Sequence, residues 1–136
     1  MALNPLYPTA HWELQYFDRG SLLNDLDLVG PSEAWIAGAW GSLLHIQNRK
    51  ASVVPLAGRA ETFIGWVRFA TKDAAWSWGV KGEIVKTTDG GKTWTQEASP
   101  LRVESDSETR TGDGARNGSN LFITVSPGRL LVCSLK

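Results

Sequence analysis

The chain has 136 residues, 14 basic and 14 acidic side chains and no net formal charge, which is length enough for one domain with a real core. The balanced charge gives no electrostatic reason to expect nucleic acid or an anionic membrane as partner. No run of 18 apolar residues is present to cross a bilayer as a helix, so no membrane insertion is expected. The single cysteine, Cys133, excludes an internal disulfide and a thiolate metal site.

From the N-terminus, residues 1–10 show neither a basic n-region nor an apolar h-region. The default compartment is the cytoplasm, or the periplasm or a lumen if a leader has been removed. A first short strand is expected over 11–16, around Trp12. The chain then reads as strands over 24–29, 33–37, 42–47 and 52–56, and again over 65–70, 74–78, 83–88 and 93–97. The 14 glycines, 7 tryptophans and many β-branched residues favour strands joined by tight turns, and no segment sustains a helical period.

These two sets of four strands are copies of one another. Ala34-Trp35-Ile36-Ala37-Gly38-Ala39-Trp40-Gly41-Ser42-Leu43-Leu44 matches Ala75-Trp76-Ser77-Trp78-Gly79-Val80-Lys81-Gly82-Glu83-Ile84-Val85, with Trp35 and Trp76 lying 41 apart. The same spacing aligns Leu26-Asp27-Leu28 with Val67-Arg68-Phe69, and sets Trp12, Val53 and Trp94 each at the opening of a fourth strand. A weaker third copy, Leu121 to Leu131, falls into register if about five residues are inserted, which the polar stretch 102–119 can supply. A four-stranded unit repeating about every 40 residues is the mark of a β-propeller blade. The expected fold is all-β, with four-stranded antiparallel blades, about three per chain. Residues 1–136 form one domain on this reading, with blades near 21–57, 62–98 and 119–135, and with strand 11–16 completing the last. Three blades are fewer than the usual four to eight, so the chain is expected to be a partial propeller or one protomer of a six-bladed homodimeric ring.

The strongest local signal is Thr87-Thr88-Asp89-Gly90-Gly91-Lys92-Thr93-Trp94. It resembles the Asp-box, in which Asp-Gly-Gly makes a tight hairpin with glycine at positive φ. In this pattern Thr87, Asp89, Gly91, Thr93 and Trp94 are structural: the carboxylate accepts turn N–H groups and the indole packs over the hairpin. One repeat earlier, Asn48 replaces the aspartate and no glycine follows, so the first copy is degenerate.

Ala-Trp-x-x-Gly-x-x-Gly followed by the Asp-box makes residues 12–100 similar to propeller repeats of the photosystem II assembly-factor type, and to the Asp-box (BNR) repeats of sialidase-like proteins. The resemblance implies a binding or assembly scaffold and places function on the face opposite the Asp-box turns. That face would carry Trp40, Lys81 and Pro127 at equivalent hairpin tips, with Arg19, Arg59 and Arg102 on connectors. The expected partner is a protein. A glycan-binding propeller is the alternative, although a lectin would repeat an aromatic where Trp40, Lys81 and Pro127 differ.

Enzymatic readings find less support, and no catalytic, cofactor-binding or metal-ligating residue is assigned. Gly91-Lys92-Thr93 has Lys86 where a phosphate loop needs glycine. His11 and His45 lie in separate repeats without a carboxylate cluster, and read as partly exposed strand-end residues. A sialidase-like glycoside hydrolase fragment is the weaker alternative, because Tyr7 and Tyr16 precede the repeats and Asp27 with Arg68 is the single acid–arginine pairing at equivalent inner positions.

Overall fold

The computed structural model describes residues 12–14, 22–38, 42–54, 65–80, 82–98, 110–117 and 120–134. Among them every regular element is a strand. The first sheet runs β1 (Leu23–Gly30), β2 (Glu33–Gly38), β3 (Ser42–Gln47) and β4 (Lys50–Val53) in sequential antiparallel order. The second repeats this with β5 (Gly65–Phe69), β6 (Ala75–Gly79), β7 (Ile84–Thr87) and β8 (Thr95–Glu97). The third has β9 (Arg110–Asn117), β10 (Asn120–Ser126) and β11 (Arg129–Ser134).

The repeat register holds through the first three strands. Trp35 pairs with Asp27 and His45, and Trp76 pairs with Arg68 and Lys86 at the matching positions. It breaks at the fourth strand. Asn48 and Arg49 close a two-residue turn at φ 50° and 68°, so β4 begins at Lys50 and Val53 ends it. In the second sheet the longer Asp-Gly-Gly loop delays β8 to Thr95. Val53 therefore ends its strand while Trp94 stands just before β8; the shorter turn moves the fourth strand by two residues relative to its repeat mate.

Because strand side chains alternate, each sheet has a trailing face toward the preceding sheet and a leading face toward the next. The first core joins leading Trp35, Ala37 and Leu43 to trailing Val67, Phe69, Ala75 and Val85, with Val29, Val54 and Trp94 at its margin. The second joins leading Trp76, Trp78 and Ile84 to trailing Leu121 and Ile123, flanked by Trp66, Ala70, Leu131 and Cys133. The middle sheet is thus covered on both faces, and every residue of β6 is buried. Truncating Trp35 or Trp76 to alanine would cost about 3–5 kcal/mol each.

The polar stretch 102–119 is not simply an insertion, since its second half is β9. The strand is hidden in the sequence because glycines stand where apolar residues would mark it. A Cβ at Gly114 would lie 2.7 Å from the Trp78 ring and 2.8 Å from the Phe122 carbonyl oxygen, so the indole occupies the space a side chain would take. The expected strand over 11–16 is described only at Trp12–Leu14, which have no regular structure. There Glu13 forms an ion pair with Arg49 of the first sheet, and the third sheet has three strands among the described residues. Gly114→Ala is expected to destabilise the fold by about 1–3 kcal/mol, read as a lower urea midpoint with an unchanged m-value.

Candidate functional site

The Thr87–Trp94 hairpin is held by side chains rather than by ladder bonds. The Thr87 hydroxyl donates to Asp89 Oδ1 at 2.8 Å and accepts the Gly91 N–H at 2.9 Å. Asp89 Oδ1 accepts the Thr93 N–H at 2.9 Å, and Oδ2 accepts the Thr93 hydroxyl at 2.6 Å. Trp94 Nε1 donates to the Gly91 carbonyl at 3.1 Å. Gly90 and Gly91 sit at φ 73° and 91°, a region costly for any residue with a Cβ. The Gly90 N–H bonds the Asp73 carbonyl at 2.9 Å, which ties this turn to the β5–β6 turn. These bonds, those from Thr93 foremost and then that from Thr87, hold the Asp89 carboxyl down at about 2. Thr87, Asp89, Gly91, Thr93 and Trp94 are the residues that make these bonds.

A second polar cluster joins the first strands of the three sheets, which lie side by side. Asn24 Nδ2 donates to the Gly65 carbonyl at 3.0 Å. Asp25 Oδ2 accepts the Val67 N–H at 3.1 Å, and Asp27 Oδ2 accepts the Phe69 N–H at 2.7 Å. Arg68 then spans all three sheets. Its Nη1 meets Asp25 Oδ2 at 2.5 Å and the Val67 carbonyl at 2.7 Å, its Nε the Gly114 carbonyl at 3.0 Å, and its Nη2 Asp113 Oδ1 at 3.0 Å. Trp78 Nε1 adds a bond to the Gly112 carbonyl at 2.9 Å, and the Thr111 N–H bonds the Val80 carbonyl at 2.9 Å.

Arg68 and Asp27 do occupy matching positions, but they are not each other's partners. The carboxylates on Arg68 are Asp25 and Asp113, which the sequence reading passed over. The alternation Asp25-Leu26-Asp27 was the available signal for two acids on one strand face; Asp113 had none. The guanidinium directs its donors at protein acceptors, so this cluster is a clasp between sheets. His45 is a mid-strand residue, half-buried, stacked on Trp35 at 4.3 Å and bonded to Glu33 at 2.8 Å. Cys133 is partly buried, and desolvation raises its thiol pKa, with Glu97 adding to the rise. No group of three or more His, Cys, Asp or Glu among the described residues is placed to hold a metal.

Of the expected binding face, Trp40, Lys81, Arg19, Arg59 and Arg102 all lie outside the described residues. Pro127 is described, exposed at the β10–β11 tip beside Gly128 at φ 60°.

Successive antiparallel sheets, stacked face to face with their first strands adjacent, define a β-propeller, of which the described residues form two four-stranded blades and three strands of another. Two solved structures share the arrangement. One, described as YCF48 bound to D1 peptide, superposes with a TM-score of 0.73 at 18% identity, covering 93% of this chain and 42% of that one. The other, YCF48 from Cyanidioschyzon merolae, gives 0.66 at 22% identity, covering 90% of this chain and 37% of that one. The chain therefore spans about two fifths of the length of these solved chains. No protein-family model matches the sequence, and no curated protein does.

Two outcomes test the geometry. Because the Asp89 pKa is lowered on folding, its contribution is complete above 3.8 and is lost as pH falls through about 2. The stability advantage of the native chain over Asp89→Asn, read from thermal melts, should therefore shrink as pH drops from neutral toward 2. Arg68→Met leaves Asp25 and the Gly114 carbonyl short of a donor, and should lower unfolding free energy by about 2–3 kcal/mol in urea titrations.

Proposed function

We propose that the chain is a non-catalytic binding or assembly scaffold whose partner is a protein segment. The observation that carries this is the likeness in fold to a YCF48 chain solved with a D1 peptide. The polar chemistry supports it. Arg68, Asp25, Asp27 and Asp113 are engaged in bonds between blades, so the acid–arginine pairing that a sialidase-like reading needs is committed to the fold. The contact surface on this reading is the face of Trp40, Lys81 and the connector arginines Arg19, Arg59 and Arg102. Loops at one end of a rigid β scaffold are where binding residues concentrate, and Trp and Arg are the usual energetic anchors of protein contacts.

Titration of a fluorescently labelled D1 peptide, followed by anisotropy, tests the proposal. Saturable binding weakened about tenfold or more by Trp40→Ala or Arg59→Ala is expected. No binding to the peptide, together with saturable binding to a glycan that Trp40→Ala abolishes, would favour the lectin reading instead. Turnover of a fluorogenic sialoside by the purified chain would overturn the non-catalytic assignment.

A further inference from the structure

Three places in the chain set an aspartate or asparagine directly before a glycine: Asp89-Gly90, Asp113-Gly114 and Asn117-Gly118. Such pairs share one chemistry. The glycine nitrogen can attack the γ-carbon of the residue before it, because glycine has no side chain to hinder the approach and its backbone turns freely. The fold treats the three pairs differently.

Two of them are locked. The Gly90 N–H is committed to the Asp73 carbonyl at 2.9 Å, and both Asp89 carboxylate oxygens accept bonds from Thr87 and Thr93. The Gly114 N–H is held by Asp113 Oδ1 at 2.9 Å, and the same oxygen takes Arg68 Nη2 at 3.0 Å. In both pairs the nitrogen's proton and the carboxylate are already engaged, and a carboxylate is a poorer electrophile than an amide. The third pair is open. Asn117 is exposed at the end of β9 and pairs with Asn120 across the hairpin, with residues 118 and 119 between them. Its side-chain amide makes no hydrogen bond with the described residues. The other described asparagines differ. The Asn24 amide donates to the Gly65 carbonyl, and the Asn120 amide oxygen accepts the Ser134 hydroxyl. Asn24, Asn48 and Asn120 are also followed by Asp25, Arg49 and Leu121, whose side chains crowd the next backbone nitrogen.

We infer that Asn117 is a site of spontaneous deamidation and isoaspartate formation. The Gly118 nitrogen forms a bond to Asn117 Cγ while the bond from Cγ to the amide nitrogen breaks. The proton of the attacking nitrogen passes through water to the leaving group, which departs as ammonia. The cyclic imide then takes up one water. Opening at one carbonyl yields aspartate, and opening at the other yields isoaspartate, in which the main chain runs through the side-chain carbon. Either product adds a negative charge to a chain with no net formal charge. Isoaspartate also lengthens the backbone where the Asn117–Asn120 pair sets the end of the β9–β10 register, so that pair is lost. The change is a chemical mark of age on the third blade, and it leaves the Thr87–Trp94 hairpin and the Arg68 clasp as they are.

The test uses the full chain alone, so its outcome is independent of peptide binding. Aged in mildly alkaline buffer, the folded chain should release ammonia and give a more acidic species on ion exchange. That species should be heavier by the exchange of NH for O, at a position that fragmentation of the intact chain assigns to Asn117. An isoaspartyl methyltransferase supplied with labelled S-adenosylmethionine should label it. Asn117→Ala should abolish both the acidic species and the label, and Gly118→Ala, which keeps the asparagine, should slow them severalfold. Near-UV circular dichroism checks that each variant is folded, and Gly118→Ala serves alone if Asn117→Ala is not. In urea the unfolded chain should gain isoaspartate at Asp89 and Asp113 as well. A folded chain that keeps its amide at Asn117 while the unfolded chain loses it overturns the inference. So does isoaspartate at Asp89 or Asp113 in the folded chain.

Discussion

The Trp35 ring lies between two sheets, stacked on His45 of its own sheet and pressed against Phe69, Trp94 and the backbone of Gly91 in the next. Much of the fold follows from seating it. Trp35 is 2% exposed, and the surface it fills includes a hairpin turn. The turn must therefore present backbone, without a side chain, to the indole. That requirement explains a glycine at position 91, and the Thr87–Asp89–Thr93 bonds hold that glycine in a left-handed conformation. The hairpin motif is thus the wall of a socket. Its hydrogen bonds serve the packing between blades as much as the turn itself.

Stacked short sheets have a second problem, the free edges of their first strands. An unpaired strand edge costs stability if it is buried and invites aggregation if it is exposed. Here the blade before each edge covers it with side chains chosen for what the edge offers. Asp25 and Asp27 accept the N–H groups of Val67 and Phe69, while Arg68 and Trp78 donate to the carbonyls of Gly114 and Gly112. The change from acid to base between matching positions 27 and 68 then has a physical meaning. At these two positions the first blade faces a donor, the Phe69 N–H, and the second an acceptor, the Gly114 carbonyl.

The blade pattern was legible because it is periodic. Alternation within strands and the 41-residue spacing fix which residues share a face, and they placed Trp35, Trp76 and the three-strand register. What escaped depends on space rather than period. β9 is written with Gly112 and Gly114, since Trp78 and Thr124 fill the volume their side chains would take, and glycine in a strand reads as its opposite. The fourth-strand shift was missed because a two-residue turn at Asn48–Arg49 replaces a longer loop, and equal spacing in sequence conceals unequal turns. Asp113 joins Arg68 from 45 residues away, a distance no local pattern spans. The side-chain bonds of the Thr87–Trp94 hairpin span two to four residues, so the residue types that make them stand together in the sequence.

The same interlock separates scaffold from site. Trp35, Trp76 and Trp94 serve packing, and Arg68 with its carboxylates serves the joints, so on the proposed reading the contact surface falls to loops and tips at the ends of the blades. The central claim is that Trp35 and Gly91 form one fitted contact between blades. A double-mutant cycle of Trp35→Leu and Gly91→Ala, read by urea denaturation, measures that fit directly. The account predicts that the added methyl group is far less harmful once the indole is gone, with a coupling of about 1 kcal/mol or more. Costs that simply add would mean the ring and the turn are not in contact, and would contradict the account.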